Sequence, residues 1–526
     1  MHTTNQVTPP TLPDLYEASI AELQNGLEKG IFSSVHLVKA YLLRIEEVNL
    51  QGPTLRAVIE TNPHALEQAA VLDREREATG SRGPLHGIPI LLKDNIATQA
   101  SDGMNTTAGS LALLGSIPPR DATVAAKLRA AGAILLGKTN LCEWSHSRGD
   151  IAAGFSARGG QATSPYVPLG DPSGSSSGSA TGTAIGLAAA ALGTETHGSI
   201  ILPSGSNNVV GLKPTVGLTS RAGVIPISMN QDSVGAIARS VTDAAIILSF
   251  IAGRDSLDEF TLAQPENVPD FTKALKPDGL KGVRLGVPRL FQSEDPNITA
   301  AFDAALDIIR GLGATVVDPA EFSGAEELLN NPNEKIVMTT EFKVGVKNYI
   351  SGLLEVPTGV KDLADLIVFN NEHASEELPP PYYMSQSKFI EAEKTTMDAA
   401  YYAALATNKD LGRTRGIDGA LKKFNLDALL LPTDEHTPGP AAIAGYPVIT
   451  VPLGFHPDSI EATPATPVVE KAPGYPFGIS FIGTAWSDFS LTSYAYAYEQ
   501  ATHTRLNRLA YPEAIPKTQL SDILPG

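Results

Sequence analysis

The sequence predicts an α/β protein: a single large domain in which a central mixed, twisted β-sheet is covered by helices. Three observations carry this. The stretch TVAAKLRAAG (123–132) followed by AILLGKTN (133–140) reads as helix, glycine stop and strand, one turn of α/β alternation. Short apolar runs with β-branched residues recur at 87–95 (GIPILLKDN), 280–288 (LKGVRLGVP), 426–433 (LDALLLPT) and 445–454 (GYPVITVPLG), lengths that suit buried strands. Neither an internal repeat nor a coiled-coil heptad interrupts the pattern.

In chain order, residues 1–13 are rich in Thr and Pro and read as a loose arm. SIAELQNGLEKG (19–30) and SSVHLVKAYLLRIEEVN (33–49) have i, i+3, i+4 apolar spacing, each opening near a serine cap, with Gly30 as the stop of the first. HALEQAAVLDREREATG (64–80) predicts a third helix ending at Gly80. The run 87–95 is a buried strand that ends in a lysine, Lys93. Residues 149–178 are rich in Gly, Ser and Pro, a long irregular loop of the kind that is often functional. An Ala-rich helix is expected over 180–192, then a short loop TETHGS (194–199), and a capped helix over 240–253. Residues 254–275 form a connector. Helical stretches follow at about 298–312, 324–350 and 386–423, and 462–474 is a polar, Pro-rich excursion.

Bulk properties narrow the function classes. The 526 residues, 42% hydrophobic, are enough for a large core. Lys+Arg 39 against Asp+Glu 57 leaves a net charge of −18, which disfavours nucleic acid and anionic membrane as partners. The single cysteine, Cys142, has no intramolecular partner for a disulfide. The amino-terminal stretch lacks a basic and apolar leader, and the apolar runs at 184–193 and 244–253 are too short to span a bilayer, so a cytoplasmic protein is expected. H-E-x-x-H is absent and the histidines lack ligand spacing; no metal or cofactor is expected.

The segment SGSSSGSATG (173–182) holds the chemical interest. Gly174 to Gly178 fits G-x-S-x-G, the nucleophile elbow of α/β-hydrolases, with Ser176 at its centre. An elbow needs a strand running straight into the serine, and Pro165, Pro168 and Pro172 forbid one. A phosphate-binding loop lacks its lysine here. On the residues alone, a turn or linker, an anion site and a catalytic serine loop all stay open.

The segment from Ser173 through SATGTAIGLAAAALGTETHGSIILP to VVGLKPTVG (209–217) resembles the amidase signature family. So do GPLHGIPILLKDNI (83–96), AAGAILLGKTNLCEW (130–144), NQDSVGAIARSVTDAA (230–245, likened to the helix start after the nucleophile), GYPVITVPLG and PFGISFIGTAW (476–486). The resemblance spans roughly residues 14–510 and implies an amidase domain over 14–520. Within it would lie N-terminal helices (14–80), a catalytic core (81–255) and a C-terminal part (276–520) with a helical insertion at about 320–423. It places the family's catalytic lysine on Lys93, its bridging serine, usually held by a cis peptide bond, on Ser175, and its nucleophile on Ser199. Ser176 is then not the nucleophile. The separation of the two serines, 24 positions, would hold the helix 180–192 and two turns.

This chemistry has a physical demand. Serine needs a base to attack an amide, and an exposed lysine with a pKa of about 10.4 is charged at neutral pH. At the end of the apolar strand PILLK desolvation would leave Lys93 neutral; the alternative is a surface lysine neutralised by Asp94. The implied proton path runs from Ser199 to Ser175 to Lys93, with the acyl group carried on Ser199. Backbone N–H groups of Thr196, His197, Gly198 and Ser199 would receive the oxyanion, and Ser145 is expected at the substrate pocket. The sequence departs from the common family pattern twice: His197 replaces a glycine, and Ile201 stands where many relatives carry arginine.

SARGGQATSPY (156–166), GSSSGSA and GTETHGSI are more similar to bacterial peptide amidases than to the corresponding component of tRNA-dependent amidotransferases. The resemblance therefore implies hydrolysis of a linear amide to acid plus ammonia or amine, on peptide C-terminal amides or small aryl and alkyl amides. A carbamate or ester hydrolase with the same triad is the alternative within the class, and a catalytically silent member of an assembly the alternative outside it. A monomer or homodimer acting on a small-molecule or peptide amide, with neither nucleic acid nor membrane as partner, is expected.

Overall fold

The computed structural model describes residues 12–525, so most of the expected arm, residues 1–11, lies outside it. The strands are β1 (Val58–Thr61), β2 (Pro89–Lys93), β3 (Ile134–Thr139), β4 (Phe155–Ser156), β5 (Gly160–Gln161), β6 (Ala190–Glu195), β7 (Val210–Lys213), β8 (Ser233–Ala238), β9 (Arg284–Gly286), β10 (Thr315–Val317), β11 (Ala428–Thr433), β12 (Val448–Phe455) and β13 (Pro476–Ile482). Eleven of them form one sheet in the order β1-β3-β2-β6-β8-β7-β12-β13-β11-β9-β10. The sheet is mixed, as expected: β2 runs parallel to β3 and β6, and β9 parallel to β10 and β11, while the other neighbours are antiparallel. Strands β4 and β5 form a small hairpin inside the long Gly/Ser/Pro loop.

Local chemistry sets the helix ends. Ser19 and Ser33 cap helices Ile20–Glu28 and Ser34–Val48, each accepting from the backbone N–H three residues on. The third helix, Ala65–Thr79, stops at Gly80. Ser240 caps Val241–Ile251, accepting from Asp243 N–H at 3.1 Å. All five residues of β2 are buried, which explains its unbroken apolar run beside two parallel neighbours.

Two expectations require correction. The Ala-rich stretch is not one helix over 180–192: the helix is Ser177–Ala184, and Ala190–Leu192 belong to β6. Gly186 turns the chain at φ +68°, where a Cβ would lie 2.0 Å from the Leu15 carbonyl oxygen. Beyond it the alanines pair with β2 and β8, and this pairing overrides their helix propensity. The link between the two serines is therefore a short helix out and a strand back. Likewise residues 233–238, within the stretch likened to a helix start, form β8; the helix begins only at Val241.

The helical region around 320–423 is present but divided. Pro332 separates Ala325–Leu329 from Asn333–Ser351, and Ser387–Glu393, Ala399–Lys409 and Ile417–Phe424 replace one long helical stretch. Part of it packs on a core of its own centred on Trp144, whose ring meets Phe342 edge-on at 6.4 Å and Phe389 at 5.8 Å. Among the described residues no helix is long and apolar enough to cross a membrane.

Candidate active site

The register of β2 against β6 sets Ile90 opposite Ala190 and Leu92 opposite Leu192, which carries Lys93 to the level of Thr194. There the lysine is fully buried, and its Nζ lies 2.7 Å from Ser175 Oγ, 3.1 Å from Thr194 O and 2.9 Å from Thr194 Oγ1. Burial lowers its pKa to about 7, against the opposing pull of Cys142, Asp232 and Glu195. Neutralisation by Asp94 is not the arrangement. Asp94 turns to Thr107 Oγ1 (2.6 Å) and Gly109 N–H (2.9 Å), with Arg158 at 3.6 Å.

The serines of the loop have separate places. Ser175 follows a cis peptide bond from Gly174, and its carbonyl accepts from Cys142 N–H at 3.1 Å. Ser176 is fully buried and donates to Thr194 O at 3.1 Å, so it fastens the loop to β6. Ser177 donates to Ser173 O at 2.6 Å. Of these three, Ser175 alone faces the cavity described next.

That cavity has a volume of about 890 Å³. Ser145, Ser175, Thr196, His197 and Ser199 all border it, while Lys93 sits behind Ser175. Ser199 is 8% exposed, reachable from the cavity where Ser175 is not exposed at all. The turn carrying Ser199 is fastened to the serine loop by Ser176 N–H to Ser199 O at 3.0 Å. Positive φ in this turn falls on Gly198 (+78°) and not on His197, so histidine there carries no left-handed strain. A Cβ on Gly198 would meet Leu202 Cδ1 at 2.6 Å and Pro438 Cγ at 2.8 Å.

Glu195 takes the first N–H groups of the next helix, Ile200 at 2.7 Å and Ile201 at 2.9 Å. Among the described residues the N–H groups of Thr196, His197, Gly198 and Ser199 find no acceptor. They are thus free to bind an anionic oxygen. Thr196 is held through its other groups: its hydroxyl donates to Asp232 at 2.5 Å and its carbonyl accepts from Gln231 Nε2 at 3.3 Å. Ser145 sits in a run of three residues with positive φ, Trp144 (+51°), Ser145 (+51°) and His146 (+72°), pinned by the Trp144 core.

The remaining wall comes from the helical region, with Glu334, Lys335, Met338 and Phe342 on one helix and Ser387, Lys388 and Glu391 on another. Lys335 pairs with Glu391 (2.8 Å), Lys388 with Asp150 (3.4 Å), and His197 with Glu334 (2.7 Å). Asp171 and Glu435 also border the cavity without a salt-bridge partner among the described residues. Burial raises the Asp171 pKa to about 6. Sequence reasoning missed Thr194, which has a signal in its position five residues before Ser199, and Glu334, which has none. No group of three or more His, Cys, Asp or Glu able to hold a metal ion occurs among the described residues.

The sequence profile of the family described as Amidase matches residues 36–492. The chain belongs to the amidase family. Its fold superposes on the crystal structure of the native peptide amidase from Stenotrophomonas maltophilia with a TM-score of 0.84 and 43% identity, covering 96% of this chain and 99% of that one. The crystal structure of an amidase family protein from Bacillus anthracis also gives a TM-score of 0.84, at 33% identity, covering 96% of this chain and 93% of that one. An Arabidopsis thaliana protein described as a probable amidase is 40% identical over 499 residues, 93% of this chain and 91% of the relative. As an amidase, the chain is a hydrolase of C–N bonds in amides other than peptide bonds.

Proposed function

We propose that Lys93, Ser175 and Ser199 form a Ser-Ser-Lys triad that hydrolyses a linear carboxamide through an acyl-enzyme on Ser199. The observation that carries this is the 2.7 Å approach of Lys93 Nζ to Ser175 Oγ behind the cavity in which Ser199 stands. A neutral lysine has two N–H bonds and one lone pair. With the N–H bonds given to Thr194 O and Oγ1, the lone pair accepts the Ser175 hydroxyl.

In the first step Ser199 Oγ attacks the amide carbon; its proton passes to Ser175 Oγ as the Ser175 proton passes to Lys93. The free N–H groups of residues 196–199 receive the oxyanion. As the C–N bond breaks, Ser175 returns a proton to the nitrogen and regains its own from Lys93, releasing ammonia or an amine. Water then adds to the acyl-enzyme by the reverse relay and yields the acid.

The substrate class this reading favours is the C-terminal amide of a short peptide. The likeness to the S. maltophilia peptide amidase supports it, and so does a cavity large enough for more than a small aliphatic amide. The reading includes a cytoplasmic monomer or homodimer working without nucleic acid or membrane, in keeping with the net charge of −18.

Ammonia or amine release from a panel of a peptide C-terminal amide, an aryl acylamide and a carbamate, with the purified protein and its Ser199→Ala form, tests the reading. Release from the peptide amide that vanishes in the variant is expected. A preference for the carbamate would move the substrate class, and turnover that survives Ser199→Ala would remove Ser199 as nucleophile.

A further inference from the structure

The turn 196–199 leaves its four N–H groups without an acceptor among the described residues. A turn that spends so few of its donors on itself needs bracing from outside if those donors are to stay aimed. The inner side is braced by Ser176 N–H to Ser199 O at 3.0 Å and Leu202 N–H to Gly198 O at 2.8 Å. The outer side is braced by one carboxylate oxygen. Glu334 Oε1 lies 2.7 Å from His197 Nδ1 and accepts from Gln231 Nε2 at 2.9 Å, and the same Gln231 nitrogen reaches Thr196 O at 3.3 Å. Glu334 comes from the first turn of helix Asn333–Ser351, 137 residues beyond His197.

We propose that His197 and Glu334 form a latch that holds the nucleophile turn in its oxyanion-binding geometry, making the helix Asn333–Ser351 a positioning element for the reaction. The inference rests on Ser199 being the nucleophile. It gives a role to a histidine that stands in this turn without positive φ.

The latch also has an electrostatic side. Glu334 borders the cavity in which negative charge develops on the substrate oxygen. An uncompensated carboxylate there would oppose that charge. Burial disfavours the imidazolium, but the Glu334 carboxylate outweighs it and holds the His197 pKa above its ordinary value. Glu195, Glu435 and Asp232 are the other carboxylates grouped around the turn and its side of the cavity; the neighbouring cation, Lys335, is already committed to Glu391. Gly198 supplies the backbone freedom of the turn, and His197 with Glu334 supplies its rigidity and its charge balance. Both are positioning residues, acting through the backbone of residues 196–199.

The test is labelling of Ser199 by a fluorophosphonate, read by mass spectrometry across probe concentrations, which separates the limiting rate from the binding constant and needs no knowledge of the natural amide. His197→Ala is expected to lower the limiting rate about tenfold or more, with the binding constant changed less than about threefold. Glu334→Gln should cost less, because it removes the hydrogen-bond acceptor's charge and the stray carboxylate together. The double variant should be no slower than His197→Ala, since the two side chains act as one unit. His197→Asn keeps a side-chain N–H for Glu334 and should recover part of the rate, with thermal melting confirming that each variant folds.

Losses that multiply in the double variant would overturn the latch. So would a change confined to the binding constant, no change at all, or an Asn variant as slow as Ala. Absence of labelling at Ser199 in the unaltered protein is a different result: the nucleophile assignment itself then falls.

Discussion

Lys93 and the lysines of the cavity wall meet different surroundings. Lys93 is sealed at the back of the cavity with a serine, a threonine and a carbonyl as its partners. Lys335 and Lys388 reach into water, 62% and 37% exposed, and each stands beside a carboxylate. The same side chain thus becomes a candidate base in one place and a solvated ion pair in the other, because desolvation without a compensating anion disfavours the ammonium. The floor of the site is buried and hydrogen-bonded; the wall is charged and more exposed, and both of its lysines are paired. The proposed chemistry belongs to the first, and the second, apart from the Glu334 brace, is proposed to set selectivity.

The largest break in that division should come from the floor. Lys93→Met is expected to reduce turnover at neutral pH by about a thousandfold, within the range for a lost general base, without lowering the melting temperature, because a buried amine is exchanged for a thioether that suits the core. In the unaltered protein kcat/KM should rise with pH through about 7: below that value Lys93 is protonated and its lone pair is lost, above it the base is available. A pH profile that is flat from 5 to 9 would disconnect the lysine from the rate.

Next comes Gly198→Ala. The added Cβ at φ +78° runs into Leu202 and Pro438, and a loss of about 100-fold in kcat is expected, the scale of one misplaced oxyanion donor. KM should barely move. On the wall the pattern should reverse: Met338→Ala, half-buried against the cavity, should raise KM about three- to tenfold with kcat kept. A fall in kcat alone would erase the proposed division between floor and wall.

The smallest effect concerns charge. Asp171 and Glu435 lack cationic partners among the described residues, so a peptide amide with a carboxylate side chain should have a KM a few-fold, about two to five times, above that of its neutral isostere. The gap should shrink as salt screens it and as pH falls through about 6, where Asp171 takes up a proton. Inhibition by the acid product should weaken in the opposite direction, as pH rises.

Legibility in the sequence followed the same division. The lysine strand, the serine loop and the turn at Ser199 are each short and contiguous; their residue types alone left several roles open, and the resemblance to the amidase signature family assigned them. Caps at Ser19, Ser33 and Ser240 were readable because a capping bond is made within three residues. The alanines of β6 were not, since what makes them a strand is the approach of β2 and β8 from about 100 and 40 residues away. Glu334 was invisible for the same reason.

By itself the sequence determined the class of fold, through patterning and glycine stops that are local properties of the chain, and its long motifs carried the resemblance that implied the family and the three side chains proposed for the reaction. Tertiary structure decided what those side chains are. Lys93 and Lys138 stand on adjacent strands, both fully buried, yet Lys138 is spent on the Ile96 carbonyl (2.6 Å) and Thr106 hydroxyl (2.8 Å), and only Lys93 meets a serine beside the cavity. Which buried amine faces a hydroxyl, and which wall carboxylate braces the turn, depends on strand register and on helix packing across more than a hundred residues. Those are relations between distant segments, and no local pattern encodes them.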